Sequence, residues 1–472
     1  MSTRVLFIQP PYRTHVVSPP MGLGYLCSHL RDKGHQVSLL DINLTHLSRQ
    51  GISEFVREYK PDAIGISVMC TGIDPVRSIV DVVRSASDVP VIIGGAQVSA
   101  LPEHTLRYSG ADFAVVGEGE QTMAELLSAL EDGDSLEPVR GLAYLIDNVF
   151  QQNQPRPLIE DLDSLPFPAW DLMPPGKYRI APILSSAKRF PIAPVVTSRG
   201  CPFDCTFCAG KSIWGRTHRF RAAEAVVDEI EMLMKEYGVR EVFIGDDNFN
   251  LKTSHAAGVC EEILNRRLKI HWACPNGLRV DSLTPELLGL MKRAGCHLVG
   301  LGIESASQEI LDRAKKALDL SKVRSVCDDI KRAGITAVGF FVLGLPGETK
   351  ESIMETIEFA KSLPLKRAWF NILAPYPGSE LFDIYVAREN LDLDKVDWST
   401  FDTSGKQVAR MSSVGPEALD RLQKKAAWSF YARPRILVDL AISQRPSTIA
   451  AFLRSQFFHN ILVKERDEGS IR

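Results

Sequence analysis

Arg199-Gly200-Cys201-Pro202-Phe203-Asp204-Cys205-Thr206-Phe207-Cys208 spaces three cysteines as C-x3-C-x2-C, directly after the strand-like run Val195-Val196-Thr197. Three thiolates on so short a loop suit a cubane iron–sulfur cluster, ligating three irons and leaving the fourth open to an exchangeable ligand. A closed zinc site would want a fourth protein ligand. The nine residues after Cys208 hold neither Cys nor His, and His218 is the first. The other cysteines, Cys27, Cys70, Cys260, Cys274, Cys296 and Cys327, are scattered and read as small buried hydrophobes. Nine in all, in a chain of this length, argue against a disulfide framework.

Outward from that loop, residues 194–395 alternate strands and helices. Strands are expected to begin at Val195, Val242, His271, Leu298, Ala337 and Ala368, and helices to cover 222–237, 254–267, 284–294, 307–317, 321–333 and 349–362. Gly238, Gly295 and Gly334 stand where glycines end helices. Six such units predict a full or partial (β/α)6 TIM-like barrel with its working groups on the carboxyl rim.

The cysteine segment resembles the signature of radical S-adenosylmethionine (SAM) enzymes, and the likeness runs through 194–380 in separate features. Phe207 matches the aromatic near the adenine. Gly245-Asp246-Asp247-Asn248 matches the motif that holds the methionine amino group. Gly302-Ile303-Glu304-Ser305 resembles the motif near the ribose and carboxylate of SAM, and the run Gly339 to Thr349, with Gly344, resembles the turn that borders adenine. Plainer roles stand beside these. Asp246-Asp247 also suits the cap of the next helix, and Glu304 a cap or a pairing with lysine. Arg216, Arg219 and Arg221 are either a solvated face or a set of forks for carboxylate or phosphate.

Residues 1–135 show the same alternation, with apolar runs at 4–8, 36–40, 63–68, 89–93 and 113–116 and helices at 22–33, 76–83 and 122–130. This predicts a doubly wound, Rossmann-like parallel sheet whose ligand lies beyond the carboxyl ends of its strands. Gln9-Pro10-Pro11 follows the first strand, so no dinucleotide fingerprint is present. This domain, ahead of a proline-rich stretch and the SAM-type barrel, resembles the cobalamin-binding subfamily of radical SAM enzymes. The string Asp161-Leu162-Asp163-Ser164-Leu165-Pro166-Phe167-Pro168 shares in the likeness, which covers 4–390. By resemblance the cobalamin residues are Asn43, Ser67, Met69, Thr71, Gly94, Gly95, Gly117, Glu118 and Gly119. Asn43 stands where related domains carry the cobalt-ligating histidine, which implies cobalamin with no histidine on cobalt. His46 is expected on a helix surface.

The resemblance implies three cofactors: a 4Fe-4S cluster, SAM and cobalamin. It further implies a methyltransferase acting on an unactivated carbon of a small natural-product or lipid-like substrate, through a 5′-deoxyadenosyl radical and methylcobalamin. An oxidative cyclisation or rearrangement without methyl transfer is the alternative, and a non-catalytic iron–sulfur or zinc sensor is the reading from another class. A flavodoxin or ferredoxin-type electron donor is implied as partner.

Composition agrees with an enzyme of this kind. The 472 residues are 45% hydrophobic and 24% charged, with a net charge of −3, which excludes a strongly basic nucleic-acid binder. No run long enough for a membrane span occurs, and the first twenty residues lack a signal-peptide core, so a cytoplasmic location is expected. Residues 136–193 are rich in proline and read as a linker, with 161–175 packed rather than free. Residues 396–472 form a helical region. Its basic and aromatic residues, among them Trp428, Phe430, Tyr431, Phe452, Phe457 and Phe458, suit a lid over the barrel or, less well, a peripheral membrane contact.

Overall fold

The computed structural model describes residues 2–12, 17–178, 187–401 and 411–443. Phe452, Phe457 and Phe458 lie outside the described residues. The chain divides into two units. The first draws on the described parts of 1–179, 198–221 and 375–402, the second on those of 180–197, 222–374 and 403–472.

The first unit is built on strands β1 (Arg4–Gln9), β2 (Gln36–Asp41), β3 (Ala63–Ser67), β4 (Val91–Gly94), β5 (Phe113–Val115), β6 (Leu142–Ile146) and β7 (Val149–Gln152), in the order β2-β1-β3-β4-β5-β6-β7. The first five pair in parallel. Their continuous apolar runs reflect burial on both faces, as parallel sheets require. The order reverses between β1 and β3, and such a switch point opens a crevice at the carboxyl edge. β6 and β7 pair antiparallel with β5 and with each other. They fall in the stretch read as a linker. The turn between them, Asp147-Asn148, holds both residues at positive φ, as a tight two-residue hairpin requires. Within 161–175, expected to pack, Trp170 and Met173 are buried, and Ala169 belongs to the core with Leu23, Cys27 and Leu126.

The chain then enters β8 (Ile192–Val195), slightly earlier than the sequence suggested, and passes through the two-residue strands β9 (Ser198–Arg199) and β10 (Arg219–Phe220) of the first unit. β11 (Glu241–Ile244), β12 (His271–Leu278), β13 (Cys296–Glu304), β14 (Thr336–Leu343) and β15 (Arg367–Ile372) complete the second unit. Its six strands lie in the order β15-β14-β13-β12-β11-β8, all parallel, with β8 and β15 as edges, which makes a partial barrel. Helices alternate with the strands within a few residues of the expected bounds. Thr284, Ser307, Asp319 and Thr349 cap their helices through side-chain oxygens, a device each time supplying about 1 kcal/mol. The helix Pro416–Tyr431 lies on the edge strand β15: Tyr431 Oη bonds the carbonyl and amide of Ala368, and Gln423 donates to the Phe370 carbonyl. Its Trp428 is 62% exposed. No helix among the described residues is long and apolar enough to cross a membrane.

Candidate functional site

The cysteine loop is closed at its base by the antiparallel pair β9–β10, which sets Arg199 opposite Arg219. Gly200 follows with φ +89, and a Cβ there would lie 2.2 Å from the Thr217 carbonyl oxygen, so only glycine fits. Cys201 and Cys205 are half-buried and Cys208 is exposed. The Cys208 amide donates to the Cys205 carbonyl, and the Gly210 amide lies 3.4 Å from the Cys208 sulfur. Further on, Leu381 donates to the Thr206 carbonyl, while Lys211 and Arg216 both pair with Asp204. The other six cysteines are buried, and burial pushes each of their thiols up, those of Cys27, Cys70, Cys296 and Cys327 to about 12. A ligand must be a thiolate, so the chemistry of the donor set singles out 201, 205 and 208 and fits a cluster. Among the described residues no three His, Cys, Asp or Glu side chains gather about a single ion. Thiolates bound to different irons of a cubane have no need to converge in that way.

The arginines after the loop answer to internal carboxylates. Arg219 is buried on Glu118 at 2.7 Å, Arg221 is buried 4.0 Å from Asp163, and Arg216 reaches Asp204 from the surface. His218 bonds Ser198 Oγ, and burial with the neighbouring Arg219 pushes it down to about 4, so it is neutral at neutral pH.

At the carboxyl edge of the first unit's sheet the expected residues divide into two groups. Ser67 pairs with Gly94 across β3 and β4, and Met69, just beyond β3, is 46% exposed. Thr71 is half-buried at the switch point. Gly95 has φ +109 and a Cβ there would come 2.9 Å from the Val68 carbonyl oxygen, in a cradle lined by the Val68 backbone and Ser67 Oγ. Gly94 and Gly119 are half-buried, and the Gly117 amide donates to Ser99 Oγ. Gln9 Nε2 and both polar atoms of Gln97 are buried at this edge without a partner among the described residues. Such a glycine-lined edge with unspent amides fits a large amide-bearing group such as cobalamin. Two residues are committed elsewhere. The Asn43 amide accepts from the Tyr12 N–H and donates to the Pro10 carbonyl and to Asp41, so it staples the β1 loop to β2. Glu118 is spent on Arg199, Arg219 and the Ile159 N–H. His46 caps a short helix at positive φ and is exposed.

In the second unit, Asp246 is buried at the end of β11 and accepts at 2.6 Å from both the N–H and the hydroxyl of Thr197, the residue that links β8 to the cysteine segment. His255 lies 2.8 Å from the same hydroxyl. Asp247 is exposed, and Asn248 Oδ1 is buried without a partner among the described residues. Glu304 ends β13 at a bulge with φ +66, an unusual conformation for a side chain of its kind, and pairs with Lys316 at 2.7 Å. Gly344 is buried with its N–H given to Glu348. Phe207 is half-buried within the cysteine loop of the first unit. Thr197, His255 and Lys316 carry no motif of their own, and only the fold brings them to these places, while Glu348 lies within the Gly339 to Thr349 run.

Residues 195–360 match the radical SAM superfamily, and residues 14–127 match the B12 binding domain. An uncharacterised methyltransferase of Pyrococcus horikoshii is 34% identical over 92% of this chain and 94% of its own length. The anaerobic magnesium-protoporphyrin IX monomethyl ester cyclase of Rubrivivax gelatinosus is 30% identical over 89% of this chain and 74% of its own. The structure of the radical SAM methyltransferase TsrM from Kitasatospora setae, with cobalamin and a [4Fe-4S] cluster bound, superposes with a TM-score of 0.71 over 95% of this chain and 90% of that one. At 19% identity this last likeness is one of fold.

Proposed function

Because the chain belongs to the cobalamin-binding radical SAM family, we propose that it is a cobalamin-dependent methyltransferase acting on an unactivated carbon of a small natural-product or lipid-like substrate. One observation carries the reading: three accessible thiols share a loop, while the other six cysteines are buried with their thiols pushed up. When bound, the cluster and SAM supply a carbon radical able to take a hydrogen atom, and cobalamin supplies a transferable methyl group.

The chain's own residues bind and orient. Cys201, Cys205 and Cys208 would hold the cluster. Asp246 fixes Thr197 and with it the entry to the cysteine segment, while Asn248 Oδ1 offers a buried acceptor to a donor such as the SAM amino group. Asp247, Glu304, Gly344 and Phe207 are the remaining SAM residues of this reading, with Lys316 holding the Glu304 carboxylate in place. Gly94, Gly95, Gly117 and Gly119 let a corrin approach backbone, beside Ser67, Met69 and Thr71. Asn43 would border the cobalamin without ligating it, because its amide is already bonded on both sides. Accessible thiols and an oxygen-sensitive cluster suit a reducing compartment, so we place the protein in the cytoplasm with a flavodoxin or ferredoxin-type donor.

The test is oxygen-free turnover with cobalamin, SAM and a low-potential reductant. Release of both 5′-deoxyadenosine and S-adenosylhomocysteine supports methyl transfer. Deoxyadenosine alone would replace it with an oxidation or rearrangement.

A further inference from the structure

The cysteine loop is gripped at its base by a buried ionic lattice that no motif announces. Arg199 precedes the first cysteine by two residues, and Arg219 follows the last by eleven. The two face each other across β9–β10. Both point to carboxylates that follow β5, Glu118 in the loop and Glu120 at the start of the helix Glu120–Asp132. Arg199 Nη1 lies 2.7 Å from Glu118 Oε1 and its Nη2 2.7 Å from Glu120 Oε1, and Arg219 Nη1 lies 2.7 Å from Glu118 Oε2. Arg219 also donates to the Ile159 carbonyl at 2.6 Å, and the Ile159 N–H donates to Glu118 Oε2 at 2.8 Å. The Arg199 guanidinium lies over the rings of Tyr25 and Trp214, 5.0 and 5.3 Å from their centroids. All four charged side chains are buried, and two carboxylates balance two guanidinium groups. Burial alone would push Glu118 up, yet hydrogen bonds from Arg219 and Arg199 hold it below the usual carboxylate range, so it stays charged.

A lattice of this kind is costly to desolvate and contributes little net stability, but Arg199, bonded through both Nη atoms, and Glu118, bonded through both oxygens, fix direction. Removing Glu118 leaves Arg219 only the Ile159 carbonyl and leaves Arg199 half-paired in a buried place. The strain then falls on the two short strands that close the cysteine loop, rather than on the hydrophobic sheet.

We propose that Glu118 and Glu120 are positioning residues for the iron–sulfur cluster, holding Arg199 and Arg219 so that the loop between them presents Cys201, Cys205 and Cys208 as one ligand set. This rests on those cysteines as the cluster ligands.

The test compares full-length wild type, Glu118→Gln, Glu120→Gln and Arg219→Lys after oxygen-free reconstitution. Iron retention is followed under chelator challenge, and amide exchange is followed in the cobalamin-free and cluster-free chain. Glu118→Gln should lose iron roughly 10- to 100-fold faster. Its amides over 198–220 should exchange roughly tenfold faster or more, while those of β1 and β3 keep wild-type protection. Arg219→Lys, which keeps the charge but must place one ammonium where Nη1 bonds both Glu118 and the Ile159 carbonyl, should fall between. Wild-type iron retention and wild-type exchange over 198–220 in Glu118→Gln would overturn the proposal. If exchange in β1 and β3 also rises in that variant, Arg219→Lys decides by the same two outcomes. Wild type that holds no iron, or that holds it without the cysteines, would instead sink the ligand assignment.

Discussion

Glu348 gives the sharpest quantitative handle on the second unit. Its carboxyl is buried just after β14 and accepts from the Gly344 and Leu345 N–H groups at 2.6 and 2.9 Å through Oε2, while Oε1 finds no partner among the described residues. Burial outweighs the two hydrogen bonds and pushes this carboxyl from the ordinary 4.5 up to about 7. A group whose folded pKa is raised contributes most below its unfolded value, and the contribution is lost as pH rises through the folded value. The interval from 4.5 to about 7 corresponds to about 3 kcal/mol in full. About 2 kcal/mol of this falls between roughly pH 5.5 and pH 8. Glu348→Gln retains an oxygen for the two N–H groups and removes the ionisation. Thermal melts of both proteins at those two pH values should therefore diverge. The wild type should lose about 4–8 °C relative to the variant at the higher pH. Parallel melting profiles would refute the buried, proton-bearing carboxyl.

Three further outcomes follow from the geometry. Gly95→Ala should cost about 2–4 kcal/mol, since the added Cβ combines positive φ with a close approach to backbone, and the corrin absorbance retained after desalting should fall; undiminished retention would remove Gly95 from the cobalamin edge. Asp246→Ala should cost about 3–5 kcal/mol in urea titration, through two lost bonds to a buried carboxylate, and SAM cleavage should drop; an unchanged midpoint would deny it the role of anchoring Thr197. Asn43→Ala should cost about 1–3 kcal/mol while leaving the absorption bands of bound cobalamin where they were; shifted bands would make Asn43 a cobalt ligand.

The parallel strands were legible because burial on both faces demands continuous apolar runs, and the barrel helices because their amphipathic period is long and their caps are explicit. The hairpin of β6 and β7 escaped because the proline density beyond Pro155 drew the linker back over it, although Asp147-Asn148 is a turn signal. The helices Arg49–Tyr59 and Pro102–Ser109 escaped as well, being short and polar enough to resemble connections. At the site, the cysteine spacing was plain in the sequence. The partners of Glu118 were not: Arg199 lies 81 residues away and Arg219 lies 101, and no local pattern encodes a pairing at such separations. The resemblance gives Glu118 a place near cobalamin and says nothing of its carboxylate, which bonds at the base of the cysteine loop.

The most direct measurement is iron and acid-labile sulfide per chain in oxygen-free, reconstituted protein, with SAM cleavage followed on the same samples. The account predicts about four of each in the wild type, and loss of iron, sulfide and SAM cleavage together in Cys201→Ala/Cys205→Ala/Cys208→Ala. Wild type without stoichiometric iron and sulfide, or a triple variant that still cleaves SAM, would contradict it.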